Sequence, residues 1–169
     1  LPGEDDQAAM FELTQALTQE AGLPAYEVSN HAAPGSACRH NLTYWLGGDY
    51  VGIGPGAHGR LNGSAYRQHR APGIWLERVE QDGHATQGCE ALAPETRAEE
   101  LVMMGMRLVD GIHANTFATA SGRSLWDVVN ANGVARMEEG GFVTRTADRL
   151  KATPAGMLVL NALTAELLG

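Results

Sequence analysis

Two prolines and a scatter of glycines divide this chain. The segment from Ala71 to Pro94 (APGIWLERVEQDGHATQGCEALAP) is polar and Gly-punctuated, with a proline near each end. That is the composition of a join rather than of a packed element. It separates stretches of different charge: residues 1–95 hold 5 Lys+Arg against 12 Asp+Glu, whereas 96–169 hold 7 against 8. Such asymmetry predicts two units, 1–72 and 95–169, with 73–94 as the linker between them.

Hydrophobic residues make up 44% of the 169 and charged residues 19%, which excludes global disorder. No apolar run approaches the roughly 20 residues of a membrane span. Two cysteines, Cys38 and Cys89, cannot build a disulfide framework, so the expected compartment is the reducing cytoplasm. A net charge of −8 argues against general attraction to nucleic acid. The chain opens on Leu1, and the expectation is a piece of a longer protein.

In the first unit, Glu4, Asp5 and Asp6 suit a helix N-terminus. Met10, Leu13 and Leu17 supply its stripe and Gly22 its stop. Ala25–Val28 and Asp49–Ile53 read as strands on either side of a 20-residue loop, Ser29–Gly48. Helix, strand, loop and strand suggest part of an α/β sheet. In the second unit, Thr96-Arg-Ala-Glu99 reads as a capping box opening a helix that runs to about Asp110-Gly111. Short helices follow near 124–130 and 134–139. Residues 142–145 and 149–152 then flank a hairpin, and a final helix is capped by Thr153 before Pro154 and striped by Leu160, Leu163 and Leu167. Helices, a two-stranded wing and a closing helix predict a winged-helix-like domain, so the fold class is α+β.

The chemistry-bearing residue types crowd into Ser29-Asn-His31, Cys38-Arg-His-Asn-Leu-Thr-Tyr-Trp45 and Gly52-Ile-Gly-Pro-Gly-Ala-His58. Loops of this length are often functional. A zinc site from His31, Cys38, His40 and His58 has suitable donors but no recurring spacing. Gly54-x-Gly56-x-x-Gly59 matches a dinucleotide fingerprint, yet no amphipathic helix follows it. A Cys-His nucleophile pair lacks a third member. The plain alternative is that Tyr44 and Trp45 cover an apolar layer while His40 and Asn41 tie down the loop.

These strings, with Tyr26-Glu-Val-Ser-Asn-His31, closely resemble the oxygen-independent coproporphyrinogen III oxidase family, and most of all its haem-chaperone branch of radical S-adenosylmethionine (SAM) proteins. Glu99/Glu100, Leu101, Gly105-x-Arg107-Leu, Asp110-Gly-Ile, Glu139-Gly-Gly-Phe and Thr153-x-x-Gly156 resemble the family's C-terminal domain. The resemblance implies the last segment of a radical-SAM partial α/β barrel followed by the winged-helix-like domain. It implies a [4Fe–4S] cluster, SAM and haem as cofactors of the intact protein. The family's Cys-x3-Cys-x2-Cys loop is not in this sequence, so the chain by itself is expected to hold no cluster and to be no enzyme, with at most weak haem binding.

By the same resemblance, His40, Asn41, Tyr44 and Trp45 handle haem or another tetrapyrrole, with His40 as an iron ligand, and Gly54, Gly56, Ala57 and His58 lie against SAM. The implied role is haem delivery to acceptor proteins. The alternative is oxidative decarboxylation of coproporphyrinogen III to protoporphyrinogen IX, which His58 disfavours, since the oxidase has an apolar residue there. A rival from another class is nucleic-acid binding through Arg145, Arg149 and Lys151 on the wing, although the nearby Glu138, Glu139 and Asp148 oppose it. A homo-oligomer, which would cover the edge of the partial barrel, is a further expectation.

Overall fold

The computed structural model describes residues 2–169. An acidic first turn opens helix α1, Glu4–Glu20. It leads to a small antiparallel pair, β1 (Ala25–Glu27) and β2 (Asn30–His31), and then to a two-turn helix α2, Arg39–Trp45. The stretch expected to be a bare loop therefore contains β2 and α2. The expected strand at 49–53 is reduced to one bridge, Tyr50 against Arg60. Beyond it the backbone turns left-handed at Gly54 and Gly56, which ends any ladder.

Strands β3 (His58–Leu61) and β4 (Ser64–Gln68) form a tight hairpin across Asn62-Gly63, both residues at positive φ. This is the primed turn that matches strand twist. Helix α3 (Pro72–Asp82) follows, with proline at its start and left-handed Gly83 at its end. Strand β5 (Thr86–Ala91) then pairs with β4, so the sheet order is β3-β4-β5. The expected linker 73–94 is thus folded: its glycines and prolines punctuate a helix and a strand.

Helix α4 spans Pro94–Gly105, with Ala93 at the cap. The capping box is not used, because Pro94 starts the helix earlier and places Thr96 inside the first turn. The helix also ends before the expected Asp110. Residues 107–109 leave it to pair with β1, Val28 N–H donating to Arg107 O and Val109 N–H to Tyr26 O. A short strand β6 (Ile112–His113) and helices α5 (Ala114–Ser121), α6 (Leu125–Val128) and α7 (Ala131–Glu139) come next. The hairpin β7 (Val143–Arg145) and β8 (Arg149–Ala152) is as expected, but β6 adds to it, giving a three-stranded sheet in the order β6-β8-β7. Thr153 caps α8 (Pro154–Leu158) by accepting from Gly156 N–H, and α9 (Leu160–Leu168) closes the chain.

The contiguous apolar core lies between Ala98 and Leu167 and is centred on Val102, Met106, Leu125, Leu150, Leu163 and Leu167. Val28, just after β1, packs against it. Helix α1 buries no residue, and Met10, Leu13 and Leu17 are each more than half exposed. Among the described residues, no helix is long and apolar enough to cross a membrane.

Candidate functional site

Helix α2 explains how the histidine and tyrosine of the clustered motif meet. His40 and Tyr44 are four residues apart on one helix, hence on one face, and their rings meet edge to face with centroids 4.8 Å apart. Tyr44 in turn lies 4.2 Å from Tyr50, centroid to centroid. His40 is exposed, and its imidazole makes no hydrogen bond among the described residues. Such a ring is free to bind.

The other two motif residues point elsewhere. Asn41 donates to the Tyr26 hydroxyl at 3.0 Å, fastening α2 to β1. Trp45 borders a small apolar cavity with Leu101, Leu108 and Phe117, and the Arg107 guanidinium lies 5.5 Å from its ring centroid. Its indole N–H is buried without a partner among the described residues.

An open depression of about 500 Å³ is lined by Tyr44, Tyr50, Val51, Gly52, Ile53, Ala57 and His58. The two sequence clusters therefore converge here through Tyr44, Ala57 and His58, while Gly54 and Gly56 lie in the adjoining turn. The turn holds itself together: Ala57 N–H donates to Gly54 O, and Gly56 N–H to His69 O. Nothing stands within 4 Å of a Cβ built at Gly54, so its backbone is open to approach.

Several positions that shape this site escaped the sequence reading. The Tyr66 ring lies across Gly59, and its hydroxyl accepts from Gly52 N–H at 2.9 Å. Burial raises the Tyr50 phenol above its usual range, with the Arg60 charge pulling the other way. Arg60 grips Glu100 of α4 through two bonds, Nη2 to Oε1 at 2.7 Å and Nε to Oε2 at 3.3 Å. That hydrogen bonding holds the Arg60 guanidinium above even its usual high range, despite partial burial. Arg97 donates to Gly47 O and reaches Glu100 at 3.9 Å. The available signal was Asn62-Gly63, which marks the β3–β4 hairpin and through it the side-chain faces.

Cys38 precedes α2 and Cys89 lies on β5, both free and exposed. A [4Fe–4S] cluster needs about three or four thiolates, so the residues present do not fit one. The zinc quartet is not assembled: among the described residues no three such donors group together, and His31 instead lies 3.1 Å from Gln15 Oε1. On the hairpin, Arg145 is paired with Glu138 at 3.0 Å and Arg149 with Asp110. This removes two of the three cations a phosphate-binding wing would use.

The HemN C-terminal domain model matches residues 92–159. The chain is 35% identical to bovine "Radical S-adenosyl methionine domain-containing protein 1, mitochondrial", covering 99% of this chain and 41% of that protein. It is 33% identical to "Heme chaperone HemW" of Mycobacterium tuberculosis, covering 99% and 41%. The solved coproporphyrinogen III oxidase HemN of Escherichia coli superposes with a TM-score of 0.75 over 98% of this chain and 42% of that one, at 13% identity. The chain therefore spans about two fifths of the length of the curated relatives it matches. By its domain match and its sequence relatives, this chain is a homologue of the HemN-like radical SAM proteins, and its fold matches the C-terminal portion of the oxidase.

Proposed function

We propose that this chain is the haem-handling end of a longer cytoplasmic protein that binds haem and passes it to acceptor proteins. The observation that carries the reading is the exposed, unbonded imidazole of His40, set edge-on to Tyr44 beside the depression that Tyr50 and His58 also line. A neutral imidazole is a suitable axial ligand for haem iron, and the tyrosine rings offer a face to the macrocycle. Relatives that carry the name heme chaperone support this reading. The fold shared with the oxidase, at 13% identity, does not by itself favour decarboxylation.

In this reading Gly54, Gly56, Ala57 and His58 would lie against SAM, the open backbone at Gly54 allowing close approach. The cluster would be held by thiolates elsewhere in the longer protein. Residues 1–91 would complete its barrel, with the winged-helix-like remainder as a cover.

A haem titration followed by the Soret band tests the ligand. The 169-residue chain is expected to bind weakly and the longer protein clearly. His40→Ala should strongly reduce the band in both, whereas His84→Ala, in the exposed turn after α3, should leave it unchanged. Unaltered binding by His40→Ala would overturn the assignment and pass it to His58.

A further inference from the structure

Three arginines of the first half, Arg39, Arg67 and Arg70, lack a carboxylate partner. Among the described residues, no carboxylate oxygen lies within 4.0 Å of Arg39, Arg67 or Arg70, whereas Arg60, Arg78 and Arg97 are all paired. In a stretch where acidic residues outnumber basic ones more than two to one, such unpaired cations call for a reason.

Register places them. Arg67 faces His58 across β3 and Gly88 across β5. Directly opposed residues of an antiparallel pair share a face, so Arg67 and His58 stand side by side, and Gly88 leaves Arg67 uncrowded on its other flank. His58 and Arg60 share that face by strand alternation, and Tyr50 joins it through its bridge to Arg60. Tyr50 and His58 line the depression, and Arg67 stands beside them on the same face of the sheet, opposite His58. Arg70 runs along the adjoining turn, its Cα and Cγ each 3.7 Å from where a Cβ of Gly56 would be. Arg39 precedes His40 on α2.

We infer that this rim recognises carboxylates on an aromatic ligand, Tyr44 and Tyr50 offering the stacking surface and Arg67, backed by Arg70, the ion pairs. A net charge of −8 repels polyanions and leaves small carboxylate-bearing molecules as the class that fits. The inference rests on the haem reading for one source of that chemistry, the propionates of a porphyrin. The α-carboxylate of SAM is the other source.

The test uses the full 169-residue chain with four probes: metal-free protoporphyrin IX, its dimethyl ester, SAM, and methylthioadenosine, which lacks the amino-acid group. Arg67→Gln should weaken the porphyrin diacid about fivefold, the size of a well-placed but exposed ion pair. It should leave the diester within about twofold, because no carboxylate remains to pair. Arg67→Lys should restore most of the affinity, and Arg78→Gln, on α3 and paired with Asp82, should change nothing. Circular dichroism confirms that each variant is folded. Loss confined to SAM, with methylthioadenosine unaffected, would support carboxylate recognition while overturning its porphyrin source. Equal loss for diacid and diester, or no loss for any carboxylate probe, would overturn the inference. The metal-free probes give iron no role, so a failed His40 assignment and a failed Arg67 assignment are read separately.

Discussion

Gly59 has no room for a methyl group. A Cβ there would fall 1.9 Å from Cζ of Tyr66, the side chain whose hydroxyl holds the Gly52 amide. Gly59→Ala must displace that ring, and the expected cost is about 1–3 kcal/mol in urea unfolding, as for other overpacked sites. A variant as stable as the parent would show that the ring moves freely. Asp110 supplies a second test at this scale. Its hydrogen bond to His113, and then the charge of Arg149, hold its carboxyl below the usual range. A depressed native value means stability that is present above the ordinary carboxylate pKa and lost as pH falls through the lowered one. Asp110→Asn should therefore melt below the parent at neutral pH, with the gap closing below about pH 4. A gap that does not shrink at all as pH falls from about 5 to about 2 would place the effect elsewhere. Both residues stand in the sequence without any sign of their partners.

Apolar periodicity predicts both α1 and α9, yet the two helices use it differently. Leu160, Leu163 and Leu167 are buried in the core, whereas Met10, Leu13 and Leu17 remain more than half exposed. Leu163→Ala should cost about 2–5 kcal/mol, the usual range for emptying a fully buried leucine site. Leu13→Asn should change the stability of this chain by no more than about 0.5 kcal/mol. Chemical denaturation of both variants checks the contrast, and a large loss for Leu13→Asn would mean that the stripe is covered in solution. Other elements were legible to different degrees. The β7–β8 hairpin and the Thr153 cap follow from local chemistry, since a turn or a cap is made by near neighbours. Helix α2 was hidden because glycines, prolines and polar residues surround only two turns of helix, although His40 and Tyr44 already carried the i, i+4 spacing.

At the scale of the whole molecule, one carboxylate joins the sheet to the core. Glu100 stands on α4, whose inner face is the buried Ala98, Leu101 and Val102, and it reaches back to Arg60 on β3 and Arg97 beside Gly47. The Arg60 and Glu100 side chains are only 22% and 18% exposed, so neither is freely rehydrated in place. Glu100→Gln should cost about 1–3 kcal/mol by leaving two guanidinium groups without their charge. It should also speed amide exchange in β3 and β4 more than in α9, and uniform exchange would mean that the clamp does not couple the two parts. What the sequence by itself determined were the features made by neighbours along the chain: the α+β class, the long helices, the hairpin of the second half, and the clustering of histidine, tyrosine and glycine. Even the family resemblance rests on contiguous strings. The tertiary structure alone decided that 73–94 is helix and strand, that β1 pairs with the stretch after α4, that Tyr44, Tyr50 and His58 line one depression, and that Arg67 stands opposite His58. Those contacts join residues 6 to 83 positions apart, and only strand register and helix packing bring them within reach.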